Sequence, residues 1–147
     1  MHSFWSEIFF NRALWAAATA VLVAQILKVF WVLLVERRWW LRMFIEAGGM
    51  PSSHSAMVSA LATSTGIQAG WNSPLFAVAA IFAAVVMYDA AGVRRAAGMQ
   101  AEVLNKIIDD LYQGRPIRFE RLKELLGHSP IEVLAGALLG ISLAAWF

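Results

Sequence analysis

The sequence predicts an all-α fold: a polytopic membrane bundle of four transmembrane helices with amphipathic helices at the interface. Of its 147 residues, 60% are apolar and only 15% are charged, whereas a soluble domain carries about one quarter charged residues. The apolar residues fall into four runs separated by polar segments. Seven tryptophans are typical of a short chain with two membrane–water interfaces. The length indicates one domain, residues 1–147.

The first predicted span, about residues 13–35, is the clearest of the four. Its 23 residues are interrupted only by Thr19, Gln25 and Lys28. At about 1.5 Å per residue, this helix crosses roughly 30 Å of hydrocarbon. It is too long for the core of a signal peptide, and no small-residue cleavage site follows it.

The other three predicted spans are shorter, at about residues 55–71, 74–89 and 130–147. The second is rich in serine, threonine and glycine, which permit close helix packing, so we place it inside the bundle. The third begins at Pro74 after a tight turn, because proline is favoured at the first helical position. The fourth begins in the same way, at Pro130.

Two segments between the spans have a different character. Residues 36–46 mix arginines with tryptophans and are typical of an interfacial segment. Residues of about 96–127 form a predicted cytoplasmic amphipathic insert, because apolar residues recur at helical spacing from Met99 to Leu111. Residues 113–116 break that helix, and residues 119–126 are predicted to form another short one.

The distribution of basic residues predicts the orientation. With four spans, the loops after the first and third lie on one side of the membrane, and they hold ten of the twelve lysines and arginines. Positive residues favour the cytoplasm, so both termini are expected outside it, in the bacterial inner membrane or an equivalent membrane. A net charge of +2 gives no argument for nucleic acid. The absence of cysteine excludes disulfides and thiolate metal sites.

The segment at residues 48–55, GGMPSSHS, carries the strongest functional signal. A helix N-terminus offers unpaired N–H groups and a positive dipole end, which together attract phosphate. Gly49, Ser52 and Ser53 are therefore candidate phosphate-binding residues, although a simple helix cap also explains either serine. His54, in the first turn, can move a proton near neutral pH.

The predicted topology brings other reactive groups to the same cytoplasmic end. Lys28 lies seven residues before the end of its span, about 10 Å deep, and a cation at that depth is a candidate functional residue. Gln25 is one turn away and shares its face. The residues expected to meet at this end are Gln25, Lys28, His54, Asp89, Arg94, Arg95, His128 and Glu132.

These groups suit the hydrolysis of a phosphomonoester, which needs cations, a nucleophile and an acid for the leaving alkoxide. Arg94 or Arg95 can clamp the phosphate in bidentate fashion, and Lys28 adds a point charge. One of His54 and His128 can attack phosphorus while the other protonates the leaving oxygen.

Two acidic residues have alternative roles. Glu132 is four residues after His128 and can fix the tautomer of that imidazole. Residues 129–132 also form a capping box, in which Glu132 bonds the backbone and His128 lies outside the helix. Asp89 can support the site, or it can pair structurally with Lys28 or an arginine.

Three segments together resemble the divergent branch of the type 2 phosphatidic acid phosphatase superfamily, which is related to vanadium-dependent haloperoxidases. They are residues 48–56 (GGMPSSHSA), 88–95 (YDAAGVRR) and 126–133 (LGHSPIEV). The resemblance implies that His54 is the leaving-group acid, that His128 is the nucleophile and that Glu132 orients it. It also implies that Lys28 and one of Arg94 and Arg95 hold the phosphate.

We therefore expect a membrane phosphatase that hydrolyses a lipid or isoprenoid phosphate monoester, or a diphosphate, at the cytoplasmic face through a phosphohistidine. The expected partners are this substrate and membrane lipids, and a homo-oligomer is left open. A first alternative is a lipid-phosphate carrier without hydrolysis. A second is a metal-assisted phosphatase in which Asp89, Glu132 and one of Asp109 and Asp110 hold magnesium. The spacing matches no strong metal signature, so no cofactor is expected.

Overall fold

The computed structural model describes residues 4–35, 49–111 and 127–147, and within these ranges it contains helices and no strand. The all-α class is thus confirmed. The helices are α1 (Phe4–Phe9), α2 (Arg12–Val35), α3 (Ser53–Ala69), α4 (Pro74–Ala91), α5 (Val93–Leu111) and α6 (Pro130–Ala144). Serines 52, 73 and 129 cap α3, α4 and α6, and a proline opens both α4 and α6.

Helices α2, α3, α4 and α6 fall where the four spans are predicted, with ends that differ by a few residues. Among the described residues, two helical segments are long and apolar enough to cross a membrane. They are Arg12–Trp31, within α2, and Pro74–Ile108, which runs through α4 into α5. Pro130–Ala144 is apolar but shorter. Four membrane crossings therefore stay a prediction.

The predicted amphipathic insert begins as α5, directly after Gly92 ends α4. Its apolar side chains are about half exposed and line an open surface groove, whereas Asn105 is buried. The remainder of the insert, residues 112–126, and the predicted interfacial segment lie outside the described residues.

A row of small residues brings α2 against the rest of the bundle. Alanines of α2 recur every fourth residue, so they share one face, and small side chains let helices approach closely. Lys28 is the next residue in this row, which carries its side chain into the interior, where it is 4% exposed. The alanines packed together in this contact are Ala16, Ala20, Ala24, Ala56, Ala60 and Ala144.

The contact between α3 and α6 leaves no room for a side chain. Gly136 faces the carbonyl oxygen of Ser52, and Gly140, one turn later, faces the carbonyl oxygen of Ala56. A Cβ added to either glycine would overlap the facing oxygen. The two backbones are therefore in direct contact along one turn of each helix.

Two main-chain hydrogen bonds identify which helix ends meet. The N–H of Ser52 donates to the carbonyl of Glu132 at 3.0 Å, and the N–H of His128 donates to the carbonyl of Ala90 at 3.1 Å. The beginnings of α3 and α6 therefore lie beside the end of α4. Both predicted site histidines belong to this part of the molecule, which we call the histidine end.

We predict that Ala20→Leu destabilises the bundle, because a larger side chain on a fully buried face must push α2 away from its neighbours. The free energy of unfolding in detergent is expected to fall by about 1–3 kcal/mol. Ala18→Leu is the matched control on the exposed side of α2, with an expected change within about 0.5 kcal/mol. Equal losses in the two variants would contradict the packing.

Candidate functional site

Ser52 connects the first turn of α3 to the rest of the site. It has an extended backbone (φ −67°, ψ 115°), and its Oγ accepts hydrogen bonds from the N–H of Ser55 at 3.4 Å and from the hydroxyl of Ser55 at 3.0 Å. Both serines are fully buried. The Ser52 hydroxyl thus serves as the helix cap. Phosphate binding by Ser52 and by the adjacent Ser53, also buried, stays a prediction.

Gly49 lies over the alkyl chain of Lys28. Its φ of +82° is in the left-handed region, where glycine carries no steric penalty. A Cβ at this position would lie 3.4 Å from Cγ of Lys28. The loop before α3 therefore covers the lysine with bare backbone.

His128 is the buried histidine of the pair. Its side chain is 5% exposed, and Nδ1 lies 3.0 Å from Oε2 of Glu132. Since an ionised carboxylate only accepts hydrogen bonds, this contact suits the tautomer that carries its proton on Nδ1 and leaves the lone pair on Nε2. This is the tautomer that a nucleophilic Nε2 requires.

Glu132 makes both of the contacts that the sequence leaves open as alternatives, one with the His128 imidazole and one with the backbone at the start of α6. Its Oε2 also accepts the N–H of Ser129 at 3.2 Å, while Ser129 Oγ accepts the N–H of Glu132 at 3.3 Å. This is a complete capping box. His128 does lie outside the helix, but its ring folds back over the first turn and reaches the same oxygen. The capping box and the contact with His128 are therefore both present, on the same carboxylate oxygen.

Glu132 also acts on Lys28 across the boundary between α6 and α2, because the carboxylate charge is near enough to influence the ammonium group. A buried cation is costly without negative charge nearby. One carboxylate thus serves the imidazole, the helix cap and the lysine.

His54 lies at the histidine end, in the first turn of α3, but unlike His128 its side chain is exposed. Gln25 and Asp89 are half-buried, and each of them, like His54, interacts with another group of the protein. Asp89 directly precedes the carbonyl that holds the His128 main chain. The structure thus brings these residues to the predicted end of the bundle without testing their roles.

Arg94 and Arg95 lie in the first turn of α5, and their side chains lie outside what the structure describes, as do those of Asp109 and Asp110. Among the described residues, no three histidine, aspartate or glutamate side chains come close enough together to hold a metal ion. The arginine clamp and the magnesium alternative therefore stay predictions.

Two groups that contact the candidate site residues are not among those predicted from the sequence. Gly136 touches Ser52, and its four-residue spacing from Gly140 is a small-residue pattern that could have indicated a close helix contact. The carbonyl of Ala90 holds the His128 main chain. A backbone acceptor leaves no mark in side-chain identity, so no sequence signal could have found it.

Comparison with known proteins identifies the family. A family model described as "Divergent PAP2 family" matches residues 9–143. The chain belongs to this family. The match runs from before α2 to the last turn of α6 and includes every candidate residue at the histidine end. It confirms the resemblance found in the sequence.

A relative from Bacillus subtilis (strain 168) matches the divergent PAP2 chain over nearly its whole length. This "Uncharacterized membrane protein YuiD" is 43% identical over 148 residues, which cover 93% of this chain and 94% of the relative. No solved structure matches the chain significantly.

We predict that Gly49→Ala both destabilises the protein and weakens phosphate binding. The left-handed backbone costs about 1–2 kcal/mol for a residue with a Cβ, and relief of that strain would move the loop that covers Lys28. Gly70→Ala is the matched control, because Gly70 has a φ of +92° and lies at the other end of α3. Unfolding free energy and phosphorus NMR of bound inorganic phosphate measure the two effects. Equal phosphate affinity in both variants would show that Gly49 does not shape the site.

Proposed function

We propose that this chain is a membrane phosphatase that hydrolyses lipid or isoprenoid phosphate monoesters, or diphosphates, at the cytoplasmic face of the bacterial inner membrane or an equivalent membrane. Membership of the divergent PAP2 family supports the reaction class. The two long apolar helices and the relative's printed description as a membrane protein support the location. The concentration of arginine and lysine in two predicted loops supports the cytoplasmic side.

The pairing of buried His128 with half-buried Glu132 carries the proposal. A solvent-exposed histidine has many uses, but a buried imidazole whose Nδ1 is fixed by a carboxylate at 3.0 Å has one nitrogen reserved and one available. Fixing the tautomer in this way is how a carboxylate prepares a histidine for nucleophilic or general-base work. Lys28 and the N-terminus of α3 adjoin this pair and favour negative charge.

In the proposed reaction, the Nε2 lone pair of His128 attacks phosphorus, and the bond between phosphorus and the lipid oxygen breaks. Protonated His54 gives its proton to that oxygen, so the product leaves as an alcohol. Neutral His54 then takes a proton from water, and the hydroxide attacks the phosphohistidine. Inorganic phosphate leaves, and both histidines return to their starting states.

Cationic groups stabilise the charge that develops on the phosphoryl oxygens during both steps. Lys28 supplies a charge from the interior, and the N–H groups of the first turn of α3 add partial positive charge. Arg94 and Arg95 begin α5 directly after α4, and we assign them the bidentate contact. The Glu132 carboxylate accepts the Nδ1–H of His128 and so stabilises the positive charge on the ring once Nε2 is bonded to phosphorus.

We predict that His128→Ala abolishes turnover and that Glu132→Gln lowers it strongly while the fold persists. Loss of a nucleophile is expected to cost at least about a thousandfold in kcat. Glutamine preserves the capping box but removes the charge, with an expected loss of about 10²- to 10⁴-fold. The assay is phosphate release from phosphatidic acid and from isoprenyl phosphates by purified protein in nanodiscs.

His2→Ala is the matched control, since His2 is the third histidine of the chain and is remote in sequence from the motifs. Circular dichroism and size-exclusion chromatography verify folding. Turnover that survives both His54→Ala and His128→Ala would overturn the mechanism. Stoichiometric lipid-phosphate binding and movement across vesicles without hydrolysis would favour the carrier, and activity lost in chelator would favour the metal-assisted enzyme.

We also predict that Lys28→Met weakens substrate binding. Methionine keeps the alkyl packing beneath Gly49 but removes the charge, so KM is expected to rise by about 10- to 100-fold, as for a lost hydrogen bond to a charged group. Lys106→Met is the control, because Lys106 is exposed on α5 and pairs with Glu102 at 2.8 Å. An unchanged KM for Lys28→Met would remove Lys28 from the phosphate site.

A further inference from the structure

The main-chain N–H and carbonyl groups of Ser52 both contact the first two turns of α6. Its N–H donates to the carbonyl of Glu132 at 3.0 Å, and its carbonyl oxygen lies against Gly136. Glu132 and Gly136 are four residues apart, so they occupy one face of the helix. We call this arrangement of Ser52, Glu132 and Gly136 the serine clamp.

The clamp joins the two halves of the candidate site. Ser52 is the N-cap of α3, and the first-turn N–H groups of α3 belong to the proposed phosphate site. Glu132 carries the oxygen that orients His128. The distance between the anion-attracting helix end and the nucleophile is therefore set where Ser52 meets α6.

We infer that Gly136 is a positioning residue: by admitting the Ser52 carbonyl, it fixes Glu132, and through Glu132 the His128 imidazole, relative to the start of α3. Its effect on turnover rests on the proposed function. Its effect on the geometry of the His128 imidazole does not, because that geometry exists in the protein without substrate.

Gly140 provides an internal comparison. A Cβ there would overlap the Ala56 carbonyl as a Cβ at Gly136 overlaps that of Ser52. Substitution of either glycine by alanine thus disturbs the α3–α6 contact in the same way, but the disturbance at Gly140 lies one turn further along α3. Ala56, unlike Ser52, makes no main-chain hydrogen bond to Glu132. A purely structural role predicts equal consequences for the two glycines, whereas a positioning role does not.

The experiment compares Gly136→Ala with Gly140→Ala in nanodiscs. Proton–nitrogen NMR of the imidazoles, without phosphate, observes the Nδ1–H proton that His128 donates to Glu132. We expect that signal to move upfield or be lost by solvent exchange in Gly136→Ala and to stay in place in Gly140→Ala. At a temperature where both variants are folded, kcat is expected to fall about 10- to 100-fold for Gly136→Ala, since misplacement near 1 Å has this effect.

A second pair of variants covers the case in which Gly136→Ala does not fold. Ser52→Gly keeps both main-chain contacts of the clamp but removes the Oγ that fixes the Ser52 backbone against Ser55, and so loosens it. Glycine remains an acceptable N-cap, at a cost of a few tenths of a kcal/mol. Ser73→Gly is the control, because Ser73 caps α4 in the same way: its Oγ accepts a hydrogen bond from the N–H of Phe76 at 3.1 Å. We expect the His128 Nδ1–H signal to change in Ser52→Gly and to be unchanged in Ser73→Gly.

The outcomes separate this inference from the proposed function. An unperturbed Nδ1–H signal in Gly136→Ala, or in Ser52→Gly if the first variant does not fold, would overturn the positioning role whatever the activity. Equal signal changes in both members of a pair would overturn it too. If the wild-type protein shows no phosphatase turnover but the signals change as expected, the proposed phosphatase function is wrong and the positioning role of Gly136 is supported.

Discussion

The direct backbone contact between α3 and α6 is the constraint on which the rest of the structure depends. At Gly136 and Gly140 the facing carbonyls occupy the space of a side chain, so the two helices have one register in which they fit. That register brings Ser52 to Glu132. The alanine face of α2 then packs against the same pair of helices and carries Lys28 inward. Packing among small residues therefore determines where the polar groups meet.

Glu132 shows how a small membrane-type bundle can support a buried polar site with few charges. A half-buried carboxylate loses part of its hydration and is stabilised by donors or cations in its place. Here the donors are the His128 imidazole and the Ser129 N–H, with the Lys28 charge nearby. Because one oxygen is shared between the helix cap and the imidazole, any change that unwinds the first turn of α6 also releases His128.

The helices and the end at which the site residues gather could be predicted from apolar runs, prolines and serine caps, because those signals are local. The pairing of His128 with Glu132 could also be predicted from their four-residue separation. The simultaneous cap could not, because only the backbone path before Pro130 decides whether the imidazole folds back over the helix. The hydrogen bond to the Ala90 carbonyl could not be predicted, since every residue has a carbonyl group. For Gly136, its spacing from Gly140 indicates a close helix contact, but the sequence does not identify Ser52 as the partner.

The unequal burial of the two histidines gives the proposed reaction a direction. An in-line displacement places the nucleophile and the leaving oxygen on opposite sides of phosphorus. His128 is buried and His54 is exposed, so attack comes from the interior and the alcohol leaves on the open side. A long lipid chain attached to that oxygen then needs no room between the described helices α2, α3 and α6, which are in close contact at alanine and glycine residues. A closely packed small protein can in this way act on a substrate much longer than any cavity it could enclose.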